Sequence, residues 1–343
     1  MEDVMSTQVL TTQEIRLPAP PAIPGLTFRS FRGEADYPLM AAVLEGSKDA
    51  DKVERVDTAE DIARTYAHLT HCDPHTDMLF AELDGRVIGY NRVTWRQEYD
   101  GKRVYVHFGF LLPEWRRLGI GTAMMGWSES RLRRIAASHP RDGARAFESY
   151  AADTEFAAAA LLKSHGYSAV RHGFRMLRSL SGEIPGLPLP GGLEVRPVLL
   201  EHYRTIWQAN EEAFRDHWAA RPRSEEEYQL WLKEPHFNPS LWMVAWDGAQ
   251  VAGMVLNFIN AAENTAYSRR RGYTEDVCVR RPWRRRGLAK ALLARSLSFL
   301  LVQGMEEAAL GVDTENPNGA LQLYESLGYQ VVKRFSMYQK PLG

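Results

Sequence analysis

The sequence predicts a mixed α/β protein made of one unit used twice, and three observations carry that prediction. First, four landmarks recur in the same order. LTFRSF from Leu26 returns as LEVRPV from Leu193, an offset of 167; Gly89 returns as Gly253 (164), Gly119 as Gly287 (168) and Tyr167 as Tyr329 (162). Drift of a few residues is what loop insertion and deletion produce in a repeat. Second, strand-like and helix-like runs alternate within each copy, which excludes an all-helical bundle or a β-sandwich. Third, SLSGEIPGLPLPGG, residues 179–192, holds four Gly and three Pro with no apolar periodicity, the composition of a linker. The domains expected are 25–179 and 193–343, joined by 180–192. Residues 1–24, with Pro18, Pro20, Pro21 and Pro24, are expected to be a mobile or draped arm.

The order expected in each unit is strand, helix pair, hairpin, strand, helix, strand, helix, strand. In the second unit residues 193–197 form a short strand. Residues 202–214 are helical, with Ile206, Ala209, Asn210 and Ala213 on one face, and 225–233 form a second helix with Tyr228, Trp231 and Leu232. Residues 241–246 and 251–257 flank Asp247-Gly248 as a hairpin. Residues 273–279 form a strand, and 288–301 a helix with Leu293, Leu297, Leu300 and Leu301 at helical spacing. A strand at 309–313, a helix at 319–327 ended by Gly328, and a strand at 331–338 complete it.

Composition narrows the function. Of 343 residues 45% are apolar, and Lys+Arg 42 against Asp+Glu 43 leaves a net charge of −1. That balance argues against a duplex-binding protein. The two cysteines, Cys72 and Cys278, give neither a disulfide framework nor a zinc pattern. HCDPH, with His71, Cys72 and His75, lacks a fourth ligand and is not read as a metal site, so no metal is expected. The N-terminus lacks the basic flank and apolar run of a signal peptide, and no stretch has the length of a membrane span. A cytoplasmic protein without nucleic-acid or membrane partners is expected, monomer or homodimer.

The chemistry concentrates after the fourth strand, in EDVCVRRPWRRRGLAKALL. The strand ends at Val279, a basic turn follows, and a helix opens at Gly287, which lacks a Cβ and lets a ligand approach the backbone. A helix N-terminus with unpaired N–H groups suits a phosphate, and Arg284, Arg285, Arg286 and Lys290 add charge. The first unit repeats this with Arg116, Arg117, Gly119 and Gly121.

Arg284-x-x-Gly287-x-Ala289 and Arg116-x-x-Gly119-x-Gly121, each between a strand and a helix, resemble the acyl-CoA pyrophosphate loop of the GNAT superfamily of N-acyltransferases. Asn316, Ala320, Tyr324, Gly328 and Tyr329 resemble its late segment. The resemblance covers nearly the whole chain as two GNAT folds in tandem, each a splayed mixed sheet flanked by helices; among tandem members it is similar to the mycothiol synthase family. It implies an acetyl-CoA-dependent N-acetyltransferase acting on a primary amine of a small molecule. The donor's arm would lie along Val277, Cys278 and Val279, with its diphosphate at 284–290, Leu288 included, and Asn316 nearby. Tyr324 would be the acid for the leaving thiolate. Glu275 and Asp276 are candidate bases; strand alternation sets them on opposite faces, and Glu275 is favoured. Cys278 reads as a small buried residue rather than a nucleophile. His217, Trp218, Tyr228 and Trp231 are candidates for the acceptor pocket, with helix packing as the alternative.

The first unit departs from this pattern. Leu162 stands where the second has Tyr324, and a fixed offset of 168 puts His107 at the position of Glu275. It is read as non-catalytic, with binding of acyl-CoA left open. The other functions considered are a protein or peptide N-terminal acetyltransferase and a non-catalytic acyl-CoA-binding protein. The arginine run 269–271 reads as a solvated loop or as a neighbour of a CoA phosphate.

Overall fold

The computed structural model describes residues 14–316 and 318–343. The first half contains β1 (Leu26–Arg29), α1 (Tyr37–Asp51), α2 (Ala59–Tyr66), α3 (Pro74–Asp77), β2 (Met78–Leu83), β3 (Arg86–Gln97), β4 (Arg103–Leu111), α4 (Ile120–Ala137), β5 (Arg145–Ala152), α5 (Phe156–Ser164) and β6 (Ser168–Ser179). The second contains β7 (Glu194–Val195), α6 (Tyr203–Phe214), α7 (Glu225–Trp231), β8 (Met243–Asp247), β9 (Gln250–Phe258), α8 (Ala261–Ala266), β10 (Arg271–Val279), α9 (Leu288–Val302), β11 (Glu307–Asp313), α10 (Ala320–Glu325) and β12 (Gln330–Pro341). The expected order is present, with α3 and α8 added.

All twelve strands form one sheet, in the order β1-β2-β3-β4-β5-β12-β6-β11-β10-β9-β8-β7. The order is a pseudo-palindrome about the β12–β6 pair, and it exchanges the last strands. β6 of the first half pairs with β11 of the second (Asp313 opposite Gly173), while β12 pairs with β5 of the first (Phe335 opposite Ala152). Each half's sheet is therefore completed by the other. A chain of residues 193–343 alone leaves β11 without its outer neighbour, an open edge that templates association. We expect it to aggregate or self-pair rather than give a folded monomer; size-exclusion and circular dichroism check this, and a helix-rich monomer would contradict it.

Both faces of each half carry a core. In the second half α9 buries Leu292, Leu293, Leu297 and Leu300, each 0% exposed, and a fully buried Leu contributes roughly 1.5–3 kcal/mol. Leu301, expected on that face, is solvent-exposed, and Leu292 takes its place. The opposite face is covered by α6 through Ile206, Ala209 and Ala213. The glycine- and proline-rich connection is not a free tether: Ile184, Leu187 and Leu189 pack on the second core, as Ile15, Leu17 and Ile23 of the arm pack on the first. Residues 1–13 of the expected arm lie outside the described residues.

Within the arginine run Arg270 is exposed and pairs with Glu306, but Arg269 and Arg271 are largely buried. Arg269 and Arg271 both pair with Glu54 of the first half, and Arg271 with Glu307. Tandem coupling across the sheet thus absorbs these charges.

Candidate functional site

In each half the fourth and fifth strands pair in parallel only at their starts. β10 and β11 pair from Arg271–Glu307 to Tyr273–Ala309, and β4 and β5 from Arg103–Arg145 to Val106–Glu148. Beyond Tyr273 the strands of the second half diverge, and a cavity of 710 Å³ opens between them. Its floor is β10, with Glu275, Asp276, Val277, Cys278 and Val279; Gly311 and Val312 face them from β11. One end is the basic turn and the opening of α9: Arg284, Arg285, Gly287, Leu288, Ala289 and Lys290. Tyr324 and Asn316 line it from α10 and the turn before it, and His217 and Trp218 from the α6–α7 loop.

Three residues expected at the second half's site, Arg286, Tyr228 and Trp231, fall outside this wall. Arg286 points to the connection, donating to the Gly191 carbonyl at 3.4 Å. Tyr228 is 7% exposed and packs its ring on Trp207 and Trp231 under the Arg204 guanidinium, so it and Trp231 belong to helix packing. Arg284 borders the cavity, yet its guanidinium is committed to protein. It donates to Asp216 at 2.8 Å, to Val279 O at 2.9 Å and to Ala213 O at 3.1 Å. Arg116 does the same with Asp51 and Leu111 O. These arginines brace the turn rather than project from it.

That bracing holds an unusual backbone. Arg285 and Gly287 have φ of 62° and 84°, and Arg117 and Gly119 have 64° and 83°, all in the left-handed region where a Cβ is strained. The first intrahelical bond of α9 runs from Ala291 N–H to Gly287 O, so the N–H groups of Leu288, Ala289 and Lys290 precede it and face the turn. A Cβ placed on Gly287 meets no atom within 4 Å. On Gly119 it meets Pro21 of the arm at 3.5 Å. The open, N–H-lined cradle beside Arg285 and Lys290 fits a diphosphate.

β10 carries a bulge that the sequence did not disclose. Glu275 pairs with Leu256 but Cys278 with Met254, and Asp276 has φ of 49°. The extra residue breaks the alternation, so Glu275 and Asp276 both border the cavity instead of taking opposite faces. β4 has no such bulge. Upstream of it the halves therefore correspond at an offset of 167, which puts His107 opposite Thr274, not Glu275. Hydrogen bonds agree: His107 Nε2 bonds the Tyr167 hydroxyl at 2.8 Å, and Thr274 Oγ1 bonds the Tyr329 hydroxyl at 2.7 Å.

Electrostatics single out the two carboxylates. Burial, then the charge of Asp276, push Glu275 up to about 7, against smaller pulls from Arg175 and the Gly311 backbone. Asp276 is raised by burial, against Arg223 and Asn210. Burial, then the Glu275 charge, raise the Tyr324 phenol far above its ordinary value and keep it protonated. Burial also raises the Cys278 thiol, which disfavours a thiolate. His107 is lowered to about 4, neutral in its buried pair.

Some wall residues had no local signal. Arg171, His172 and Gly173 of β6 reach this cavity only because the last strands are exchanged; Arg171 bridges Asp313 and lies 5.8 Å above the Trp218 ring. A second cavity of 340 Å³ shares Phe214, His217, Trp218 and Asp276 with the first, and adds Tyr99 of the first half. Among the described residues no group of three or more His, Cys, Asp or Glu could hold a metal ion, and no helix is long and apolar enough to cross a membrane.

Comparison with known proteins fits this geometry. The model of the acetyltransferase (GNAT) family matches residues 43–167 and 203–329. A mycothiol acetyltransferase of Salinispora arenicola is 28% identical over 313 residues, 89% of this chain and 94% of its own. A GCN5-related N-acetyltransferase structure from Sphaerobacter thermophilus superposes with a TM-score of 0.70 at 27% identity, over 93% of this chain and 96% of that one. A tandem GNAT protein from the clavulanic acid biosynthesis pathway shares the fold at a TM-score of 0.66 and 14% identity, over 93% of this chain and 99% of its own.

Proposed function

The chain belongs to the acetyltransferase (GNAT) family, and from that premise we propose an acetyl-CoA-dependent N-acetyltransferase whose second half acetylates a primary amine of a small molecule. The observation that carries this reading is the cavity between β10 and β11, which joins an open helix N-terminus, a carboxylate near 7 and a protonated phenol. The loop 285–290 would hold the diphosphate, with Arg284 and Arg116 acting only as braces. The β10 edge beyond Tyr273 lacks a strand partner and would pair with the donor's amide-bearing arm. Acetyl-CoA supplies the acyl group as a thioester. Glu275 accepts a proton from the acceptor's ammonium, whose ordinary pKa is about 10, and the free amine then attacks the thioester carbon. Tyr324 donates to the sulfur that leaves. Asn316 borders the donor end, and His217 and Trp218 the acceptor end. The first half, with Leu162 in place of the phenol and Pro21 against its loop, would not catalyse. Curated relatives are named for mycothiol, and we take the acceptor here to be a small molecule likewise.

The test is a panel of primary amines with acetyl-CoA, followed by thiol release. A small-molecule amine should be turned over; a peptide N-terminus acetylated faster would favour protein acetylation, and failure of calorimetry to detect acetyl-CoA uptake would overturn the reading. Glu275 makes the pH dependence specific. The base works deprotonated, so kcat/KM should fall tenfold per pH unit below about 7. Glu275→Gln should remove that limb and lower turnover by about 10²–10⁴-fold.

A further inference from the structure

Tyr99 and Tyr267 play comparable parts in the two halves. Each stands four residues before its half's fourth strand, which starts at Arg103 or Arg271. Each reaches across the pseudo-palindrome to the loop that follows the other half's first helix. The Tyr267 hydroxyl donates to Arg55 O at 3.0 Å and accepts from Arg55 N–H at 2.9 Å. The Tyr99 N–H donates to Ala220 O at 3.0 Å, and its hydroxyl donates to Glu211 Oε1 at 2.9 Å. The same Glu211 oxygen accepts from Arg223 N–H at 3.3 Å, and the Arg215 guanidinium lies 5.3 Å above the Tyr99 ring.

These contacts fix residues 215–223 near both ends. The segment lies between α6 and α7 and includes Ala219 at φ of 60°; such a loop needs outside anchors to hold one conformation. It carries His217 and Trp218, which with Phe214 and Asp276 form the wall between the 710 and 340 Å³ cavities. We propose that Tyr99 is a positioning residue for the acceptor amine. From the first half it holds the 215–223 loop in place, so the acceptor side of the second half's site is complete only in the tandem chain. This rests on the reading that the second half is the catalytic one. Tyr267 performs the same clamp on the loop of the other half, and its loss should not be felt by the acceptor.

The experiment compares Tyr99→Phe, Tyr99→Ala, Tyr267→Phe and Tyr267→Ala in the full chain. The variable substrate is the panel amine with the highest turnover, at saturating acetyl-CoA. A hydroxyl–carboxylate bond is charge-assisted, and its loss corresponds to about a tenfold change. Tyr99→Phe should raise the amine KM about tenfold, and Tyr99→Ala more. Acetyl-CoA affinity by calorimetry should be unchanged, kcat should stay within about threefold and thermal midpoints should match those of the Tyr267 pair. Hydrogen–deuterium exchange should rise in residues 215–223 for the Tyr99 variants only. An unchanged amine KM in Tyr99→Ala, or an equal rise in Tyr267→Ala, overturns the proposal. If the wild-type chain takes up no acetyl-CoA, the proposed function fails instead, and exchange in residues 215–223 still decides whether Tyr99 holds the loop.

Discussion

Gly287→Glu is expected to abolish measurable acetyl-CoA binding while leaving the protein folded. The position has φ of 84°, and a Cβ there meets no atom within 4 Å. Sterically, then, the cost to the free protein is backbone strain alone, about 1–3 kcal/mol for a non-Gly residue held in this region. The effect on the ligand is far larger. A carboxylate about 5 Å from one unit of phosphate charge repels it by roughly 3 kcal/mol at an effective dielectric of about 20, and a diphosphate carries more than one. Affinity should therefore fall more than 100-fold. Gly287→Ala supplies the strain without the charge and should keep most of the binding. Gly119→Glu repeats the change at the equivalent loop, where φ is 83° and Pro21 stands 3.5 Å from the added carbon; titration calorimetry should give it wild-type affinity. Normal binding in Gly287→Glu would move the donor site elsewhere, and lost binding in Gly119→Glu would bring the first half into it.

The repeat, the element order and the two glycine-containing loops were legible because each is written in contiguous residues: apolar periodicity, an Asp-Gly turn, a glycine before a helix. What escaped depends on partners distant in sequence. β6 and β12 have the same alternating pattern whichever half they join, so nothing local announces that they trade places, or that Arg171 and His172 border the second half's cavity. Arg284 reads as a phosphate ligand until Asp216, 68 residues away, is seen to hold it. The bulge at Asp276 left a trace too slight to place it. The offset is 168 at Gly287 but 167 at Leu193, as one extra residue in β10 requires on balance with the loops, yet a drift of one cannot be assigned to a strand rather than a turn from sequence alone. The cross-clamp left no trace of this kind, because a tyrosine in a polar hairpin carries no signal of what it touches.

Tyr324→Phe is expected to lower kcat by about 10²–10³-fold with acetyl-CoA affinity within about twofold. The substitution removes one oxygen and keeps the ring, which is 6% exposed and packed 6.0 Å from Tyr329, so the fold should be little disturbed. The phenol is raised first by burial and then by the negative charge of Glu275. A phenol held that high does not simply surrender its proton to a thiolate, whose conjugate thiol has a pKa of about 8.5. The neighbour lessens this mismatch, though burial, the larger cause, stays. On the proposed function, Glu275 would lose its charge on taking the proton of the amine, one of the causes holding the phenol up would vanish with it, and Tyr324 would be a better donor after the base has acted, as sulfur starts to leave. The proposed roles of the two groups would then be ordered as well as paired. In Tyr324→Phe the acidic limb near pH 7 should persist, because it belongs to Glu275, while its plateau drops. In Glu275→Gln the limb should disappear and Tyr324, relieved of the charge, should titrate lower than in the wild-type protein, a shift readable by ultraviolet difference absorption of the phenolate. Unchanged turnover in Tyr324→Phe would remove Tyr324 as the acid, and a limb that survives Glu275→Gln would assign the base to Asp276 or to water.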